Sequence, residues 1–182
     1  MAQPGFDPSH SVKFDASRGA VEIEGGACLL VPPAALLALC RGAGDEAKRD
    51  FGRTLGTELG RQVSTRLRAS EASVESLLEH LGGSLALVGL GSLGVERWGR
   101  ALVLTLRGSP LGRDGDALVA SILEGALQRA LARDTSIVPL SRDSDRARLL
   151  VVSPAAAQKV RAWLAEGVAW GDVLARLHER SA

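Results

Sequence analysis

A chain of 182 residues, 46% hydrophobic and 24% charged, is long enough to bury one substantial core and has the balance of an ordinary globular protein. Its net charge of +1 is spread without a basic block and only 3% of its residues are aromatic, so the cationic and stacking surface of a nucleic-acid binder is missing. Cys28 and Cys40 suit a reduced protein better than a disulfide scaffold, and the opening MAQPGFDPSH lacks the cationic start and apolar run of a signal peptide, so a cytoplasmic location is expected.

Residues 1–10, with Pro4, Gly5 and Pro8, read as a flexible arm. Val12 to Asp15 and Ala20 to Glu24 alternate apolar and polar residues around a Ser-Arg-Gly turn, which signals a hairpin, and Ala27 to Val31 continues as a strand. Pro32 and Pro33 open a short helix, Ala34 to Arg41, because proline suits a first turn, where its missing N–H costs nothing. After the Gly42-Ala43-Gly44 break comes a long helix, Asp45 to Leu67, with an apolar edge at Phe51, Leu55, Leu59, Val63 and Leu67. Gly52, Gly56 and Gly60 fall every fourth residue along it. Each glycine costs about 1 kcal/mol against alanine in a helix interior, so this stripe predicts a bare groove that something approaches closely. The same spacing packs membrane helices, but the interleaved Asp45, Lys48, Arg49, Asp50, Arg53, Glu58 and Arg61 forbid a membrane span.

A second helix starts near Ser73, carries Val74, Leu77, Leu78 and Leu81, and extends toward Val88. Leu93 to Trp98 and Arg100 to Arg107 alternate strongly and read as paired strands joined at Gly99. A helix follows from Asp116, expected as its N-cap, to about Ala132. Strands Ser136 to Leu140 and Arg148 to Val152 flank a charged turn, and Pro154 starts a helical tail. Helices and strands come in runs, which argues for an α+β architecture with an antiparallel sheet packed against a helical layer. The expected organisation is a domain over 1–153 and a C-terminal helical extension over 154–182. In the extension Val160, Trp163, Gly167, Trp170, Leu174 and Leu177 are separated by alternating steps of three and four. A continuous helix carries them on one seam, either packed back on its own domain or offered to another subunit through Val160, Trp163, Trp170, Leu174 and Leu177. Gly167 is where the tail would split instead.

The string from Gly89 through Gly91 to Gly94 fits the Gly-x-Gly-x-x-Gly pattern of dinucleotide sites, yet β-patterned segments follow where that chemistry needs a helix. A turn between a helix and a strand is expected there. His10, His80 and His178 lie far apart, neither cysteine belongs to a Cys-x-x-Cys pair, and no nucleophile signature occurs. No metal, cofactor or catalytic residue is therefore expected, and the chain reads as a non-enzyme.

The opening VKFDASRGAVEIEGGACLLVPPAALLAL, the striped FGRTLGTELG, the pair VGLGSLGVERWGRALVLTLRGSP, the helix SILEGALQRAL and the closing DTSIVPLSRDSDRARLLVV share their order and character with one known family. Over about residues 11–153 the chain resembles the 4-vinyl reductase small-molecule-binding domains, relatives of the small subunits of the TRAPP vesicle-tethering complex. The opening resembles the lead-in to this domain in aromatic-sensing bacterial regulators. Many members hold a metal through acidic and cysteine residues around the closing hairpin, but Pro139, Ser141, Arg142 and Ala147 stand there, so metal binding does not carry over. The resemblance implies a compact module, often dimeric through its helices. The expected function is a binding or scaffold module that forms a homodimer or docks on a partner protein through helical faces. The alternative is a sensor holding a small apolar ligand between the striped helix and the sheet, lined by Phe51, Leu55, Leu59, Trp98 and Leu104.

Overall fold

The computed structural model describes residues 11–67 and 73–179, and the arm expected over 1–10 lies outside them. A small antiparallel sheet comes first, with β1 (Val12–Asp15), β2 (Ala20–Ile23) and β3 (Gly26–Cys28) in that order. β3 stops short of Val31 because Val21 of β2 already pairs with Cys28, and β2 begins only one residue before that. Helix α1 (Pro33–Leu67) consists of two segments meeting at Gly44, where φ of 77° and ψ of 168° break the helical path. Near its end Arg66 pairs at 2.5 Å with Glu24, which fastens the small sheet to the helix.

Helix α2 (Val74–Leu87) is capped by Ser73, whose hydroxyl accepts the Ser76 N–H at 3.1 Å. Then come β4 (Ser92–Trp98), β5 (Ala101–Arg107), α3 (Asp116–Leu131), β6 (Ser136–Arg142) and β7 (Arg146–Val152). The four strands form an antiparallel sheet in the order β4-β5-β7-β6. β6 is an edge strand, which is where Pro139 is tolerated, and its register shifts between Pro139 and Ser141. The fold is α+β, as its sequence pattern predicts.

Alternation along the strands divides the sheet into two buried faces. Leu104, Leu106, Ile137 and Leu149 join a core with α1, α2 and α3. Val103, Val138 and Leu150 point the other way, toward α4 (Pro154–Ala165) and α5 (Trp170–Glu179). Helix α1 rests on α3 and α2, α3 rests on β6, and α2 rests on β4. The layers therefore run from α1, through α2 and α3, through the sheet, to the C-terminal helices.

The glycine stripe is the contact surface between α1 and α3. A Cβ on Gly52 would lie 2.6 Å from the Ser121 Cβ, one on Gly56 would overlap the Ile122 carbonyl oxygen, and one on Gly60 would lie 3.0 Å from the Ala126 Cα. Gly125 of α3 returns the contact, since a Cβ there would come within 2.9 Å of the Arg53 Cα. Beside this interlock Arg53 donates from Nε and Nη2 to the Glu124 Oε1 at 3.0 and 2.6 Å, and Glu124 Oε2 accepts the Ile137 N–H at 3.1 Å. The buried carboxylate thus has both oxygens satisfied.

One local expectation is corrected and one open alternative is decided. Asp116 does not cap α3, because a tight 3-10 turn over Arg113–Gly115 runs straight into the helix and leaves Gly115 at the cap. Asp116 instead takes both Nε and Nη2 of Arg142, a bidentate pair shielded from water, and this hydrogen bonding drives the Arg142 pKa above its already high value. Of the two readings of the tail the split is the one found, for Gly167 adopts a φ of 82° and turns the chain between α4 and α5. Val160 and Leu174 are buried on the chain's own sheet, with Trp163, Trp170 and Leu177 packed around them.

Candidate functional site

Helix α2 covers the strand pair β4–β5 only in part, and a cavity of about 340 Å³ remains between them. Its position follows from strand parity. In the β4–β5 register Arg97 pairs with Leu102 and Val95 with Leu104, so Leu93, Val95, Arg97 and Leu102 all face the helical side. Leu78 of α2 closes the apolar wall, and Glu75 and Glu79 stand at the rim. Val95 remains 44% exposed, an unusual state for an aliphatic side chain on the core-facing side of a sheet. Across the rim Arg97 Nη2 donates to Glu75 Oε1 at 2.7 Å, while Glu79 makes no ion pair among the described residues. The arrangement is an apolar recess with one bridged and one free carboxylate at its mouth, suited to holding a small apolar molecule and to accepting a hydrogen bond from it.

The residues expected to line a ligand pocket do not come together. Leu59 and Leu104 are core side chains, and Leu55 packs against the same core. Phe51 is 45% exposed on α1. Trp98 is equally exposed but belongs to the opposite face of the sheet, where its ring meets Trp170 edge to face with centroids 5.2 Å apart. Arg148 lies over the Trp170 ring at 5.3 Å. Along Gly52, Gly56 and Gly60 the striped helix lies directly on α3, so the five expected lining residues enclose no common space.

The remaining sequence motifs have structural roles. Gly89 and Gly91, with φ of 75° and 118°, make the turn from α2 into β4, and Gly94 lies within β4, where a Cβ would sit 2.7 Å from the Thr105 Oγ1. His178 docks α5 on the β4–β5 turn, its Nε2 accepting the Arg100 N–H at 3.0 Å. Cys40 is buried and Cys28 exposed. Among the described residues no cluster of three His, Cys, Asp or Glu side chains is placed to hold a metal ion, and no helix is long and apolar enough to cross a membrane.

No protein-family model matches the sequence, and no curated protein matches it. The structure is similar to the phenol-responsive sensory domain of the transcription activator PoxR, crystallised with phenol, at a TM-score of 0.61 and 14% identity. The match covers 79% of this chain and 85% of that domain. At that identity the likeness establishes a shared fold.

Proposed function

We propose that the chain is a non-catalytic small-molecule-binding module of the sensory type, which holds an apolar ligand in the recess between α2 and β4–β5. The observation that carries this reading is the uncovered aliphatic wall of Leu78, Leu93, Val95 and Leu102, in a fold shared with a domain that responds to phenol. A volume of about 340 Å³ lies at the small end of ligand pockets, which favours a single-ring molecule. Burying roughly 150 Å² of such a ring gives at most about 4 kcal/mol, or a dissociation constant near millimolar. Titration with a panel of small aromatic and aliphatic compounds, phenol included, followed by NMR shifts at millimolar concentration therefore suits the test. Saturable shifts should cluster on α2 and β4, and Val95→Trp, which fills the recess from an exposed position, should abolish them. Failure of every compound to shift these residues removes the reading.

A second reading rests on a different surface. Leu29, Leu30, Val31 and Leu39 are exposed among the described residues, Leu29 by 85% and Leu39 by 70%, and Phe14 stands exposed on β1. Such a run of aliphatic side chains favours association with a second copy of the chain. Because Val160 and Leu174 are spent within the chain, the dimer surface proposed is this N-terminal stretch rather than the tail. Light scattering across a concentration series should show a dimer that Leu29→Ser with Leu39→Ser dissociates; a monomer throughout excludes it.

A further inference from the structure

A second cleft, of about 400 Å³ and sharing no residue with the recess under α2, opens between α1, α3, β6 and α4. Its charged lining consists of Lys48, Arg49, Arg53 and Arg161 against Asp45 and Glu124, an excess of two positive charges. Both carboxylates are already used. Asp45 pairs with Lys48 at 2.6 Å, and Glu124 divides its oxygens between Arg53 and the Ile137 N–H. Arg49 and Arg161, from two different helices, make no ion pair among the described residues. Arg53 commits only Nε and Nη2 to Glu124, which leaves Nη1 as a further donor. The walls of Ala117, Ala120 and Ser121 are small, so the volume between these cations stays open.

From this geometry we infer that the cleft binds a small dianion through the guanidinium forks of Arg49 and Arg161. Both arginines are exposed, so the excess positive charge of the recess attracts an anion without straining the fold. Guanidinium groups bind carboxylate and phosphoryl oxygens in pairs, and two forks on opposite elements suit a ligand carrying two negative charges, a dicarboxylate or a phosphomonoester. An occupant would tie α4, on the outer face of the sheet, to α1, on the far side of the helical layer.

Calorimetric titration of the full chain at constant ionic strength, with succinate, phenyl phosphate and inorganic phosphate as probes and chloride as reference, tests the inference. At least one probe should bind saturably with one-to-one stoichiometry, and the preferred probe distinguishes a carboxylate from a phosphoryl ligand. Arg49→Gln and Arg161→Gln should each weaken that binding at least fivefold. Arg41→Gln, which removes a partner of Asp114 outside the cleft, should leave it unchanged. Thermal unfolding of both cleft variants controls for folding, and since both arginines are exposed it should match the parent. Heats no larger than those of chloride for all three probes, or cleft variants that bind like the parent, overturn the assignment.

Discussion

Gly56 of α1 lies so close to Ile122 of α3 that a single methyl group on its α-carbon would overlap the Ile122 carbonyl oxygen. In an unpacked helix Gly→Ala gains up to about 1 kcal/mol. Here the obstacle is backbone rather than a flexible side chain, so Gly56→Ala is expected to destabilise the protein by about 1–3 kcal/mol. Gly42→Ala is the control: it is helical and exposed, has nothing within 4 Å of its Cβ position, and should stabilise by up to about 1 kcal/mol. Urea unfolding of the two variants checks the opposite signs.

The pair Asp116–Arg142 joins the start of α3 to the end of β6 with both side chains largely shielded, at 14% and 7% exposure. Removing one partner strands the other, so Arg142→Met should cost about 3–5 kcal/mol. Asp116→Leu combined with Arg142→Met should recover most of that loss, because no unpaired charge remains. A double-mutant cycle by chemical denaturation measures both.

Asp143 is held below the ordinary aspartate pKa, chiefly by the hydrogen bond from Arg148 and then by the one from Arg146. A carboxylate with a depressed folded-state pKa stabilises the fold above its unfolded value near pH 4 and loses that contribution as pH falls through the folded value. Asp143→Asn should therefore lower the melting temperature slightly at pH 7, and the difference should shrink as pH falls below about 4. The pair is exposed, so the difference will be small and should shrink further in high salt.

Trp170 anchors α5 through its contact with Trp98 and the Arg148 guanidinium above it. Trp170→Ala is expected to cost roughly 1–3 kcal/mol, less than a fully buried tryptophan because the ring keeps some solvent contact. It should also shift the emission of the remaining tryptophans to longer wavelength as Trp98 meets water.

Much of this architecture could be read from residue spacing, because spacing reports how a segment meets its neighbours. Gly52, Gly56 and Gly60 announced a close approach, and the alternation from Leu102 to Leu106 announced a buried strand. The identity of the partner was hidden, since α3 lies far along the chain and nothing local ties Ile122 to Gly56. Strand parity could have separated Trp98 from Leu104: across a two-residue turn Trp98 pairs with Ala101, which places it on the face opposite Leu102 and Leu104. The three-four pattern of the tail left a continuous helix and a split at Gly167 both open, and one residue with positive φ is enough to end the seam. The recess under α2 and the lining of the cleft beside α1 escaped notice because each is a space left between elements, and spacing within an element does not report the gaps around it.

The interlock of α1 with α3 also sets an order of events. Arg53 and Glu124, which flank it, are 71 residues apart, so joining the helices carries the entropy of closing a long loop and is expected to follow the local pairings between them. A clasp of this kind is expected to close late in folding. Changes along the glycine stripe should therefore hasten unfolding while leaving the refolding rate nearly untouched, which makes the lifetime of the native state, more than the speed of reaching it, the property these glycines govern.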